Sequence, residues 1–213
     1  PFHYIGLQDY EYQGQLLTDK APLRQLVAPE RVKYILQQLE YYSYSGIQVH
    51  GLIFCSRRDE AKELAQAMTA KGHPARSLDG TTTIAQREHL VSQLEQGRLE
   101  YLVTVDVFNE GVDIPCVNQV VMLRNTQSQI VFLQQLGRGL RIDAQKEVLT
   151  VIDFVSQAHA NYNFASRFRA LLGKTERSVK DEIEKEGILS RDFYIPWIKA
   201  YGHLDTLADF FTF

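Results

Sequence analysis

The sequence predicts an α/β protein: a parallel sheet with helices on both faces, followed by a helical C-terminal extension. Two observations lead there. From about residue 49 onward, short apolar runs alternate with amphipathic stretches, the pattern of strand and helix units feeding one parallel sheet. The later runs are rich in Val and Leu and fit central strands that are covered on both faces.

The first run is VHGLIFC (49–55). Ser56-Arg-Arg-Asp59 follows with the spacing of a capping box, and EAKELAQAM then places Ala61, Leu64, Ala65 and Met68 on one helical face. ARSL (75–78) is a short strand and Asp79-Gly80-Thr81-Thr82 a polar loop. Thr83, with Gln86 three residues on, caps a helix whose apolar face is Ile84, Leu90, Val91 and Leu94. YLVTV (101–105), QVVML (119–123) and VLTVID (148–153) are three further strands, and SQIVFLQQLG between the last two reads as a helix of about ten residues. The five strands occupy residues 48–155, a normal size for one compact domain. Residues 1–47 read as a polar, Tyr-rich lead with one helix, Glu30 to Tyr42, and residues 156–213 as a helical extension.

Composition narrows the function classes. A net charge of -3 over 213 residues argues against a free-standing nucleic-acid binder driven by bulk charge, so any such contact has to be local. Cys55 and Cys116 lack the paired spacing of zinc ligands, and the six histidines show no metal-ligand spacing, so no metal site is expected in the chain and the thiols are expected reduced, in a cytoplasmic protein. No apolar stretch approaches the roughly 18 residues that span a bilayer, so no membrane partner is expected. The opening, PFHYIGLQDY, lacks signal-peptide features and reads as a cut through a longer polypeptide.

Two segments carry candidate chemistry. Val103 to Pro115, VTVDVFNEGVDIP, follows a strand, and ligands of α/β sheets sit at the carboxyl ends of strands. There Gly111 lets backbone approach a phosphate or sugar and Asp113 can accept hydrogen bonds from hydroxyls, although a plain turn with Asp113 as a local cap would show the same residues. The second is Gln134-x-x-Gly137-Arg138-x-x-Arg141. Two permanently charged guanidinium forks beside glycines suit a γ-phosphate, while the plainer alternative is that they complement a helix carboxyl end.

In order and spacing these segments resemble the second RecA-like lobe of superfamily 2 helicases. GLIFCSRRDEA resembles motif IV, VTVDVFNEGVDIP motif V and QQLGRGLR motif VI. The pairing of FNEGVDIP with FLQQLGRGLR is most similar to bacterial restriction- and repair-type DEAD/DEAH-like helicases, some of which carry a phospholipase-D-like nuclease domain. The resemblance implies Arg138 and Arg141 as arginine fingers on the γ-phosphate, with Gln134 and Gly137 beside the nucleotide and Gly111 and Asp113 on its ribose side. It implies Ser56, Arg57, Gly80, Thr81 and Thr104 as contacts to a nucleic-acid backbone, DNA in the first instance. Val105 stands where the family usually carries threonine, and Thr104, one residue earlier on a strand, is expected to face the other side of the sheet.

The chain lacks the phosphate-binding loop of a complete motor. Its single Gly-Lys pair, Gly173-Lys174, has no earlier glycine at the required spacing and reads as a helix terminator. ATP and Mg²⁺ are therefore expected to be held mainly by an N-terminal RecA-like lobe of the same polypeptide, with the present chain inactive alone. The alternative is a degenerate lobe that serves, without catalysis, as a protein- or nucleic-acid-binding module.

Overall fold

The computed structural model describes residues 2–17, 20–105, 114–124 and 148–154. Among them six strands form one parallel sheet. In chain order they are β1 (Phe2–Gly6), β4 (Gly51–Phe54), β5 (Ala75–Leu78), β6 (Tyr101–Thr104), β7 (Gln119–Met122) and β8 (Leu149–Asp153), and in space they run β1-β8-β7-β4-β6-β5. A two-stranded antiparallel ribbon, β2 (Glu11–Tyr12) and β3 (Gln15–Leu16), follows β1. The helices are α1 (Leu23–Leu26), α2 (Pro29–Tyr42), α3 (Arg58–Ala70) and α4 (Ile84–Glu95).

The register is in phase across the centre of the sheet: Gly51 to Phe54 pair in order with Tyr101 to Thr104 on one side and Gln119 to Met122 on the other. Side chains that alternate along these strands divide into two buried sets. Ile53, Val103, Val121 and Ile152 meet Val32, Ile35 and Leu39 of α2 and Ala61, Leu64, Ala65 and Met68 of α3 in one core. Leu52, Phe54, Leu102, Val120, Met122 and Val151 take the other parity and are equally buried. Full burial of an aliphatic side chain contributes roughly 1.5–3 kcal/mol, so the apolar stripes of α2 and α3 fix those helices on the sheet. The strand expectations hold at all five positions, each to within two residues at either end.

Three features differ from the sequence expectations. First, residues 2–6 are an edge strand: β1 pairs in parallel with β8, Phe2 opposite Leu149 and Gly6 opposite Asp153, so the sheet reaches into the segment read as a lead. Second, the N-cap of α3 is Arg57, which makes no side-chain cap bond, and the Ser56–Asp59 capping box does not form. Third, Ile84 is 74% exposed, and the buried side of α4 is carried by Val91 and Leu94. The capping box at Thr83 and Gln86 forms as expected, with Thr83 Oγ1 accepting from the Gln86 amide and Gln86 Oε1 accepting from the Thr83 amide. The helices expected at 128–137 and 156–213 lie outside the described residues.

Candidate functional site

Because all six strands of the main sheet are parallel, their carboxyl ends form one continuous rim. Hydrogen bonds stitch it from strand to strand: Leu7 N to Asp153 O (2.7 Å), Phe154 N to Met122 O (3.0 Å), Leu123 N to Phe54 O (2.9 Å), Cys55 N to Thr104 O (2.9 Å) and Val105 N to Leu78 O (3.3 Å). Ser56 and Arg57 stand on this rim after β4, and Gly80 and Thr81 after β5, with the end of β6 between them. The segments at 106–113 and 125–147, which contain Gly111, Asp113, Gln134, Gly137, Arg138 and Arg141, are entered from the same rim, at the ends of β6 and β7. Those six residues lie outside the described residues.

The turn at Ser56 is held from the side of α3. The Ser56 amide donates to Glu60 Oε2 (3.3 Å), while its buried Oγ has no partner among the described residues. Arg57 folds back: Nε donates to Asp59 Oδ1 (3.0 Å) and Nη1 to the Ala21 carbonyl (3.1 Å). The Arg57 bond, foremost, lowers the Asp59 pKa. Arg57 and Asp59 are about a third and somewhat less than half exposed, so their pair is screened by water and open to exchange with another anion.

The loop after β5 is built around Asp79. Its carboxylate accepts from the amide of Thr81 (2.8 Å) and from the Thr81 hydroxyl, and its own amide donates to Thr82 Oγ1 (3.1 Å). The Thr81 bonds hold the Asp79 carboxyl below the ordinary carboxylate range. Gly80 is exposed, and a Cβ built on it meets open space, so a ligand backbone could approach it without displacing anything in the chain.

Thr104 sits apart from these four: its side chain is fully buried at the end of β6, and its hydroxyl, like that of Ser56, has no partner among the described residues. The expected facing holds: Val105 packs on the α2 and α3 core, and Thr104 takes the other parity. The rim thus brings together Ser56, Arg57, Gly80 and Thr81 and leaves Thr104 beneath them.

The charged residues behind the Ser56 turn are not legible in the sequence. Arg31, Glu60 and Asp9 are 1%, 1% and 7% exposed and form a buried charge network behind it. A signal existed: Arg31 shares a helical face with Ile35 and Leu39, and Glu60 one with Leu64 and Met68. Opposite charges on two apolar faces announce a pair only when the helices are known to be neighbours.

A family model described as the helicase conserved C-terminal domain matches residues 30–143, more than half of the chain. The chain belongs to that family. It is a C-terminal lobe of the superfamily 2 helicase type with a RecA-like sheet. The ATP-dependent RNA helicase SrmB of Haemophilus influenzae is 31% identical over 140 residues, which are 66% of this chain and 29% of that protein. The ATP-dependent RNA helicase dbp5 of Schizosaccharomyces pombe is 35% identical over 96 residues, 41% of this chain and 19% of that protein. The chain thus spans less than a third of either curated relative. In fold it is similar to the solved C-terminal domain of the DEAD-box protein Dbp5, with a TM-score of 0.55 at 18% identity over 84% of this chain and 97% of that domain.

Proposed function

We propose that this helicase-family lobe is the second motor lobe of an ATP-driven helicase or translocase, acting on DNA, and that it completes an ATP site whose other half belongs to an upstream lobe of the same polypeptide. One observation carries the reading: the family match runs through Arg138 and Arg141, and the two segments with the nucleotide candidates are entered from the rim that presents Ser56, Arg57, Gly80 and Thr81. A nucleotide on one side and a nucleic-acid backbone on the other would then share one edge of one rigid sheet.

The donor set fits ATP. Arg138 and Arg141 offer charged forks for a γ-phosphate, Gln134 and Gly137 an amide and close backbone beside it, Gly111 and Asp113 a backbone approach and a carboxylate for ribose hydroxyls. When bound, ATP supplies the phosphoryl group and Mg²⁺ neutralises its charge. The arginines reach the nucleotide only when the two lobes close, so closure couples nucleotide state to the grip of the rim on the backbone. The Ser56 turn, the exposed Gly80–Thr81 backbone and the Arg57 fork then face phosphates, which positions the strand without reading its sequence. A net charge of -3 is compatible with such contacts because they are few and local.

The assignment of DNA rests on the likeness of FNEGVDIP and FLQQLGRGLR to restriction- and repair-type helicases, whereas SrmB and dbp5 are named RNA helicases. ATP hydrolysis by the 213-residue chain and by the intact polypeptide, each with single-stranded DNA and with RNA, tests both levels. The expected result is background turnover by the chain alone and DNA-stimulated turnover by the intact protein. Robust turnover by the chain alone, or an intact protein that responds to neither nucleic acid, would overturn the reading; a response to RNA alone would keep the lobe and replace the substrate.

A further inference from the structure

We infer that Asp9, Arg31 and Glu60 are positioning residues for the Ser56–Arg57 turn, an inference that rests on the proposed role of that turn in gripping nucleic acid. The network is continuous. Asp9 Oδ2 receives Arg31 Nη2 (2.7 Å) and both Asp9 oxygens receive Arg31 Nε (3.1 Å each); Arg31 Nη1 donates to Glu60 Oε1 (3.1 Å) and to the carbonyl of Leu26; Glu60 Oε2 receives the Ser56 amide. The Tyr10 amide also donates to Asp9 Oδ1 (2.7 Å), and Tyr34 Oη donates to the Gln8 carbonyl (2.9 Å), which fixes the segment carrying Asp9 against α2.

Three buried charges are a costly way to join two helices that already share an apolar core, and apolar residues of similar volume often join them as well or better. What apolar residues cannot supply is an acceptor for the Ser56 amide. Glu60 supplies it, and Arg31, itself clamped by Asp9, fixes the orientation of the Glu60 carboxylate. Two observations on the turn agree with that purpose. The Arg57 N-cap makes no side-chain cap bond for α3, so the Ser56 amide is held by Glu60 instead of by a capping side chain, and Ser56 Oγ is left without a partner among the described residues while that amide is pinned. Glu60 is held in place so that the turn, with the unpartnered Ser56 hydroxyl and the Arg57 fork on it, keeps one orientation at the rim.

The test compares four forms of the intact protein: wild type, Ser56→Ala, the apolar replacement Asp9→Leu/Arg31→Met/Glu60→Leu, and that replacement combined with Ser56→Ala. The readouts are affinity for a fluorescein-labelled single-stranded oligodeoxythymidine, thermal unfolding, and hydrogen exchange at the Ser56 amide. The apolar replacement should unfold cooperatively and bind about tenfold more weakly, the scale of one hydrogen bond. Ser56→Ala should weaken wild type but add little in the apolar background, because both changes act through the same turn. Wild-type affinity in the apolar replacement, or an undiminished Ser56→Ala penalty there, would overturn the inference. If that replacement fails to fold, Glu60→Gln decides: it replaces one of the two accepting oxygens by an NH2 that faces Arg31 or the Ser56 amide donor to donor, so weaker binding with retained folding is expected, and unchanged binding overturns the role. If wild type does not bind the oligonucleotide, the nucleic-acid reading fails by itself. Ser56 exchange then still decides the positioning claim, supported by faster exchange when Glu60 is replaced and contradicted by unchanged protection.

Discussion

Asp79 shows how a rim residue is tuned by its neighbours. The Thr81 hydroxyl and amide, with smaller help from the Thr82 region and Arg58, favour its ionised form in the folded chain. A folded pKa below the ordinary 3.8 means that the loop gains stability above that value and loses it as pH falls through the lower, folded one. Following the Asp79 carboxyl and the Thr81 amide by NMR from neutral to acid pH should give a shared midpoint below 3.8, whereas a midpoint at or above it would contradict the loop geometry. Glu60 runs the other way: burial raises its pKa, while Arg31 and the Ser56 amide pull it back. Single residues were legible in the sequence where their partners are local, as Thr83 and Gln86 are. Ser56 was misread because a capping-box spacing was present but a carboxylate on the next turn, tied to a helix 29 residues away by sequence, claimed its amide instead.

At the scale of elements, the local signals fared well and the non-local ones poorly. Four of the five strands between 49 and 153 announce themselves by largely apolar runs, ARSL by its place between two helices, and α3 by the spacing of Ala61, Leu64, Ala65 and Met68. β1 gave no such signal: FHYIG is short and aromatic, sits in a polar lead, and forms its pairs with Leu149 to Asp153, nearly 150 residues on. The helical period puts Ile84 on the buried face, yet at the first position of α4 it is exposed. The capping box there makes a specific prediction. Thr83→Ala should lower stability by about 1 kcal/mol, read as a shifted denaturation midpoint with unchanged slope, and an unchanged midpoint would show that the cap contributes nothing.

For the molecule as a whole, β1 and α2 bind the first 47 residues to the lobe. A chain begun at residue 48 would lose the edge pairing to β8, the apolar face of α2 and both Asp9 and Arg31, leaving Glu60 buried beside neither. It should be insoluble or unfold without cooperativity in calorimetry; a sharp transition matching the full chain would show that the lead is dispensable. The sequence revealed a parallel α/β sheet and its helicase likeness through motifs that occupy short local windows, whereas the assembly of the rim depends on strand order, which no single window encodes.

The proposed function requires this lobe to lend its arginines to an ATP site it does not itself complete. It is tested most directly in the intact polypeptide by replacing each arginine in turn, Arg138→Ala and Arg141→Ala, and measuring nucleic-acid-stimulated ATP turnover beside oligonucleotide affinity. Turnover should fall on the order of 10³-fold or more, with most of the affinity retained because the proposed rim contacts are unaltered. Near-normal ATP turnover in both variants would contradict that requirement.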